Sequence, residues 1–350
     1  MPPVRNARIL FNDIPAANTY PEPGKTTICD DSQTIDIETT PLDGGFLVKT
    51  VALSIDPYMR GRMRDPSVKD HFPPFTLGAP LANFAVGLVI RSEHPAAKTG
   101  DYVYAFLPFQ EYTIVHDLSE IRSDVFRVLE KQKGLPWSAY VGVCGMAGAT
   151  AHHGWLEFAD PKPGETVFVT AASGAVGGAV VQIAKAKGLK VIASVGSEEK
   201  VAYVRSLGAD VVFNYKTEDT NAVLEREGGI DIFWDNVGGK TLEAALESAH
   251  RYARFIECGM MSEYNSEPYS PKNLSQIIYQ QLRVCGFVVG SLYNKYRERF
   301  YQEMPAKIAS GEMKYLEDRS YGLESVGDAI LAVQKGTNFG KKVVIVAEDA

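Results

Sequence analysis

The stretch from Thr170 to Gly178 reads TAASGAVGG. An apolar, β-branched run, TVFV, precedes it, and AVVQIAKAKG follows with apolar residues at helical spacing. A strand, a glycine turn and a helix in that order restrict the fold more than any other feature of the chain. Gly174, Gly177 and Gly178 allow a tight turn and close backbone approach. The helix beyond offers unpaired amides and the positive end of its dipole to an anion. Such a turn either cradles the pyrophosphate of a dinucleotide or simply packs a helix tightly on its strand.

The downstream sequence favours the first reading. Apolar runs recur at KVIASV (190–195), DVVFNY (210–215), IDIFWDNV (230–237), ARFIECG (253–259) and RVCGFVV (283–289), with helical stretches between most of them. Val176, Val180 and Ile183 share one helical stripe that stops at Gly188. Ser197 is the expected N-cap of the next helix and Gly208 its end. This alternation implies βαβ units and a doubly wound parallel sheet, an α/β fold of the Rossmann type.

The first 130 residues differ. They are rich in Pro, Gly and short β runs such as FLVKTVALS, FAVGLVI and DYVYAFLPFQEYTIV, which predicts an irregular β domain. Near the end, SVGDAILAVQKG reads as a helix and KKVVIV as a strong strand, expected to return and complete an earlier domain. With 350 residues the chain is long enough for two domains. The expected division is 1–135 for the β domain, 136–304 for the dinucleotide-binding domain and 305–350 for the returning segment.

Charge and composition narrow the function. Lys and Arg number 36 against 43 Asp and Glu, a net charge of -7, which argues against a nucleic-acid partner. No apolar run approaches the ~20 residues of a membrane span. The N-terminus, MPPVRNARILFND, carries no signal-peptide core, so the cytosol is the expected location. Cys29, Cys144, Cys258 and Cys285 are widely spaced and read as small buried hydrophobes.

An NAD site carries an acid about 20 residues after the glycine turn, to hold the ribose 2′-hydroxyl. Here that place reads ASVGS (193–197), without a carboxylate before Glu198. Lys200 then falls near the third position of the next helix, where a cation opposes the dipole. A 2′-phosphate would resolve the conflict, making NADP(H) the expected cofactor; the alternative is a solvated lysine offset by Glu198 and Glu199. No metal is expected. The segment that would supply a Gly-His-Glu zinc motif reads LANFAVG (81–87), and none of the six histidines pairs with a cysteine at ligand spacing. His152 and His153 are expected on a helix surface or near substrate, with diverging side chains.

At these residues the chain resembles the zinc-independent medium-chain reductases, within them the prostaglandin reductase and 2-alkenal (double-bond) reductase family. The likeness rests on SIDPYMRGRM (54–63), VGLVI, AASGAVGG, VGSEEKVAY (195–203), FNYK (213–216), DNVGG (235–239), CGMMSEYN (258–265), GFVV (286–289) and GTNFGKKVV (336–344). It implies a GroES-like β-barrel domain completed by the C-terminal segment. It places Gly174, Ala175, Val176 and Gly177 on the pyrophosphate, and Lys200 and Tyr215 on the ribose and its 2′-phosphate. Asn236 follows the fourth strand. Cys258, Gly259, Ser262, Tyr264, Phe287, Val288 and Val289 fall on the nicotinamide side, and Asn338 reaches the cofactor from the tail. It also implies a homodimer that reduces the carbon–carbon double bond of α,β-unsaturated aldehydes and ketones. Family members often carry a proline and a tyrosine where this chain has Ala147 and His152, so substrate contacts do not carry over there.

Hydride addition to the β-carbon of an enone builds charge on its oxygen, and a donor aimed there lowers the barrier. A phenol, with a pKa near ~10, stays protonated and donates. Tyr264 is the expected donor and Tyr58 the second catalytic residue. Arg60, Arg62 and Arg64 read as a solvated face rather than a site for a substrate carboxylate, and Trp234 as core packing. Two alternatives stay open: a quinone reductase of the same fold, and a dinucleotide-binding protein without catalysis.

Overall fold

The computed structural model describes residues 2–347, which form two compact units. Among these residues one unit comprises 2–142 with 317–347, the other Val143–Leu316. The boundaries expected at 135 and 304 thus fall short of the observed ones. Trp137, in the short 3₁₀ turn Trp137–Val141, stacks on Tyr102 at 3.9 Å and stays with the first unit. The helix Tyr293–Ala309 packs on Met146–Phe158 and stays with the second. Met1 and residues 348–350 of the expected segments lie outside the described residues.

The second unit is built on six parallel strands. Their order is Val211–Asn214, Lys190–Val195, Thr166–Val169, Ile230–Asp235, Ala249–Glu257 and Arg283–Gly286. Each apolar run of the sequence forms one of these strands. Both faces of the inner strands are covered, which is why they are apolar throughout rather than alternating. Phe168 stacks on Phe213 and Phe233 at 6.1 and 5.3 Å, and Phe233 meets Phe255 at 5.2 Å, a row of aromatic rings through the core. Trp234 is fully buried, as expected. The stop and start signals operate as read: Gly188 and Gly208 take φ of +77° and +102°, and the Ser197 hydroxyl accepts from the Lys200 amide.

The helix Met146–Phe158 overturns the reading of the histidines. It is buried nearly all round, and His152 and His153 are both inside. Adjacent positions on a helix point about 100° apart. Here His152 nevertheless packs on Phe300 and His153 on Tyr293, Tyr296 and Phe300 of the helix Tyr293–Ala309, and their Nδ1 atoms come within 3.0 Å. One ring must donate and the other accept, and burial keeps both neutral near pH 7.

In the first unit a seven-stranded sheet runs Glu317–Tyr321, Lys341–Ile345, Phe46–Ser54, Ala82–Ser92, Tyr102–Pro108 and Arg127–Val128, with Tyr112–Val115 also on Phe46–Ser54. The strand Phe46–Ser54 has two partners on one edge. Its first half pairs with Tyr112–Val115 and its second half with Lys341–Ile345. The C-terminal strand therefore returns as expected. A Cβ on Gly87 would lie 2.2 Å from Val48 Cγ1, so glycine is what lets these two strands lie so close.

Two further expectations fail here. Arg60 and Arg62 are buried, not solvated. Arg60 donates to the carbonyls of Ala16 and Thr19, Arg62 to those of Pro73 and Ala82, and Arg64 to those of Gly61, Val68 and Phe72. Chain turns around Met59–Arg62 leave carbonyls unpaired, and the guanidinium forks staple them. Cys29 is exposed rather than buried, because the hairpin Arg8–Phe11/Thr27–Asp30 turns one face outward.

Burial lowers the pKa of His152 to about 4 and of His153 to about 3, against 6.5 in an unfolded chain. Below pH 6.5 the unfolded state therefore binds protons that the folded state refuses, so stability falls with pH until the folded pKa values are reached. Replacing both residues by Leu and Phe is expected to flatten the melting temperature between pH 6.5 and 4.5. A wild-type slope retained by the double variant would refute this origin of acid lability.

Candidate cofactor and active site

The glycine turn lies at the carboxyl end of the strand Thr166–Val169, and the helix Ala175–Ala186 starts directly after it. A Cβ on Gly177 would lie 2.6 Å from the Ala171 carbonyl oxygen, so the helix can press onto the turn only with glycine there. Ala171 itself takes a positive φ of +49°. No side chain caps this helix, and its first turn holds no acid. The amides of Ala175, Val176 and Gly177 thus have no intrahelical acceptor, as in any first turn. An open helix N-terminus bordered by glycine fits a pyrophosphate.

The adjacent strand Lys190–Val195 ends at Gly196. A Cβ on Gly196 would meet the Tyr215 hydroxyl at 3.1 Å and Lys216 Cε at 3.4 Å. Tyr215 is 53% exposed, and Lys200 is half-buried in the first turn of the helix Glu198–Ser206. Glu198 turns away, accepting from Asn214 Nδ2 at 3.0 Å. The expected pair Lys200 and Tyr215 thus borders one strand end, and Lys216 joins it. Lys216 escaped the sequence reading, although its place directly after Tyr215 was a usable signal.

Between the two central strands lies a buried polar clasp. The Asn236 amide donates to the Thr170 hydroxyl at 2.7 Å, and Asn236 Nδ2 to the Thr170 carbonyl at 2.7 Å. Trp234 Nε1 donates to Asn236 Oδ1 at 3.3 Å. The Asn236 side chain is committed to these partners, so it braces the turn. Asp235 accepts from the amides of Val237 and Gly238 at 2.8 and 3.0 Å and from the Thr170 hydroxyl at 3.2 Å. The Asp235 carbonyl takes the amides of Cys258 and Gly259 at 2.9 and 3.1 Å. The Asn236 and Val237 carbonyls take those of Met261 and Ser262.

These bonds fix the loop that carries Tyr264. Ser262 Oγ donates to the Val237 carbonyl at 2.6 Å. A Cβ on Gly259 would come within 3.8 Å of the Tyr264 hydroxyl, which therefore stands over Gly259 at the carboxyl edge of the sheet. Phe287 packs on Trp234 at 5.9 Å, and a Cβ on Gly154 would strike its ring at 2.5 Å. Val288 and Val289 follow, half-buried. In the first unit, Tyr58 packs on Phe72 at 4.9 Å and donates to Asn83 Oδ1. Asn338 Nδ2 donates to the Gly340 carbonyl at 2.8 Å.

An acid pair, not expected from the sequence, lies here. Glu257 buries both carboxyl oxygens, and burial, then the charge of Asp235, pushes it up to about 8. Asp235, with three donors aimed at it, is the ionised member. Burial beside these two carboxyls pushes the Cys258 thiol up to about 12, so Cys258 is a neutral lining group rather than a nucleophile. Among the described residues, no three His, Cys, Asp or Glu side chains group as a metal set.

Residues 175–307 match a family model described as zinc-binding dehydrogenase, and residues 30–122 one described as the N-terminal domain of oxidoreductase. The 2-alkenal reductase (NADP(+)-dependent) of Nicotiana tabacum is 40% identical over 90% of this chain and 91% of its own. The chain belongs to the zinc-independent medium-chain dehydrogenase/reductase family, in its alkenal reductase branch. The (+)-pulegone reductase of Mentha piperita is 39% identical over 88% of this chain and 89% of its own. The crystal structure of CurA from Vibrio vulnificus in complex with NADPH superposes with a TM-score of 0.86 at 33% identity, covering 98% of this chain and all of that one.

Glu257 tests the acid pair directly. Its folded pKa, about 8, lies above the unfolded 4.5, so this carboxyl costs stability increasingly as pH rises from 4.5 to 8. Glu257→Gln is expected to melt a few degrees above the wild type at pH 8, with the gain gone at pH 4.5. A difference independent of pH would show that no titrating carboxyl is responsible.

Proposed function

We propose that this reductase uses NADPH to reduce the carbon–carbon double bond of α,β-unsaturated aldehydes and ketones. The observation that carries the reading is the Tyr264 hydroxyl over Gly259, held by the loop that Asp235 anchors. The names of the tobacco and mint relatives, an alkenal and an enone reductase, support the substrate class. Amides at Gly174, Ala175, Val176 and Gly177 hold the pyrophosphate. Lys200, Tyr215 and Lys216 hold the ribose 2′-phosphate, with Gly196 admitting it closely. Cys258, Gly259, Ser262, Phe287, Val288 and Val289 line the nicotinamide side, Asn236 braces them, and Asn338 is a further cofactor-binding residue.

Bound NADPH supplies the hydride that the β-carbon accepts. Tyr264 donates a hydrogen bond to the substrate oxygen and strengthens it as negative charge builds there. The donor is fixed before reaction, so no reorganisation is needed when charge appears. Tyr58 is the second residue at the substrate. The neutral Cys258 and Phe287 keep water from the reacting carbon. We also infer a cytosolic homodimer. The last strand of the parallel sheet, Arg283–Gly286, is an open edge, and Leu274, Ile278, Tyr279 and Val284 are 44–74% exposed. No helix among the described residues is long and apolar enough to cross a membrane.

NADPH absorbance followed with a 2-alkenal and with a quinone checks the reading. Faster turnover of the alkenal is expected; turnover of the quinone alone would make it a quinone reductase, and of neither a binding protein. Tyr264→Phe is expected to lower kcat by about 100-fold while leaving NADPH affinity within twofold. Equal losses in both would refute the donor role. Lys200→Ala is expected to weaken NADPH binding by about 10-fold or more and to leave NADH binding nearly unchanged. A matched loss for both dinucleotides would undo the phosphate assignment.

A further inference from the structure

The first unit buries a chain of polar side chains that ends at Tyr58. Lys341 Nζ donates to Asp56 Oδ1 and to the Ile55 carbonyl, both at 2.7 Å. The other oxygen, Asp56 Oδ2, accepts from Ser54 Oγ at 2.5 Å and from Asn83 Nδ2 at 2.9 Å. Asn83 Nδ2 also donates to the Ser54 carbonyl at 3.0 Å. Ser54, Asp56, Asn83 and Lys341 are all buried, with Asn83 fully so. Lys341 and Asp56 form a buried ion pair, and removing one partner would strand a charge in a medium of low dielectric.

The donors of this chain run in one direction. Lys341, Ser54 and Asn83 all give protons to Asp56. The carboxylate thereby fixes which end of the Asn83 amide faces it, and both amide protons are used. Asn83 Oδ1 is left as a pure acceptor, and Tyr58 donates to it. A phenol has a single proton, so Tyr58 spends that proton on Asn83 and can offer any further partner only its lone pairs. An amide that donates to an anion also becomes a better acceptor, which strengthens the grip on Tyr58.

We propose that Asn83, oriented by the Lys341–Asp56 pair, is a positioning residue for the reduction: it takes the single proton of Tyr58, so that the phenol meets the substrate as a hydrogen-bond acceptor. Tyr58 receives a proton donor, a hydroxyl of the substrate or a water, and does not grip the carbonyl oxygen. This inference rests on the alkene-reductase reading for its kinetic part only.

A double-mutant cycle tests it. Asn83→Leu is expected to lower kcat/KM for a 2-alkenal by about tenfold, with NADPH affinity within twofold of the wild type. In a Tyr58→Phe background the same change is expected to cost less than twofold, because Asn83 acts through the phenol. Losses that multiply across the two backgrounds would overturn the proposal and leave Asn83 a packing residue. Should Asn83→Leu fail to fold, the combined Asp56→Asn/Lys341→Met variant removes the ion pair without stranding a charge, and the same cycle applies. A readout without turnover is the ¹³Cζ resonance of Tyr58, assigned through Tyr58→Phe. It is expected to shift in Asn83→Leu and in Asp56→Asn/Lys341→Met alike, and an unmoved resonance in either refutes the relay. Absence of any alkenal turnover in the wild type would sink the reductase reading instead, and the resonance would still decide whether Asn83 sets Tyr58.

Discussion

The contact between Gly177 and the Ala171 carbonyl governs the second unit. It lets the helix Ala175–Ala186 sit down on its turn, which aims the first amides outward from the carboxyl end of the sheet. Thr170, one residue before that turn, clasps Asn236 and Asp235 on the neighbouring strand. Asp235 and the two residues after it hold the backbone from Cys258 to Ser262. An unbroken run of hydrogen bonds thus leads from the glycine turn to the loop of Tyr264. Few of these bonds touch solvent, so the low dielectric strengthens each of them.

The two units handle buried charge in opposite ways. Asp56 is neutralised by a full cation, Lys341. Asp235 has no cation; it is satisfied by amides and a hydroxyl, and its carboxyl neighbour Glu257 gives up ionisation instead. The first solution fixes direction along a chain of side chains. The second fixes the shape of a backbone. Both place an acid behind a tyrosine at a distance, where its charge acts through bonded partners.

Much of the parallel sheet was legible in the sequence, because strands buried on both faces are written as continuous apolar runs with glycine stops between them. The conflict between Lys200 and the helix dipole was also legible, since it needs only local spacing. The relay behind Tyr58 was not. Lys341 reads as an ordinary charge at the start of KKVVIV, and its partner Asp56 lies 285 residues away. His152 and His153 were misplaced because helical periodicity says nothing about a helix buried on every side. The arginines at 60, 62 and 64 look like a solvated run until the turns whose carbonyls they bind are folded.

The strand Lys341–Ile345 lies between Glu317–Tyr321 and Phe46–Ser54, inside the sheet of the first unit. On a ribosome, the earlier strands emerge with that slot open and cannot close it until Lys341–Ile345 has been made. Val143–Leu316 is contiguous and can mature while the chain is still tethered. The unit whose residues come first is therefore the one completed last, and Lys341, which arrives with the closing strand, switches on the Asp56 relay only at that moment.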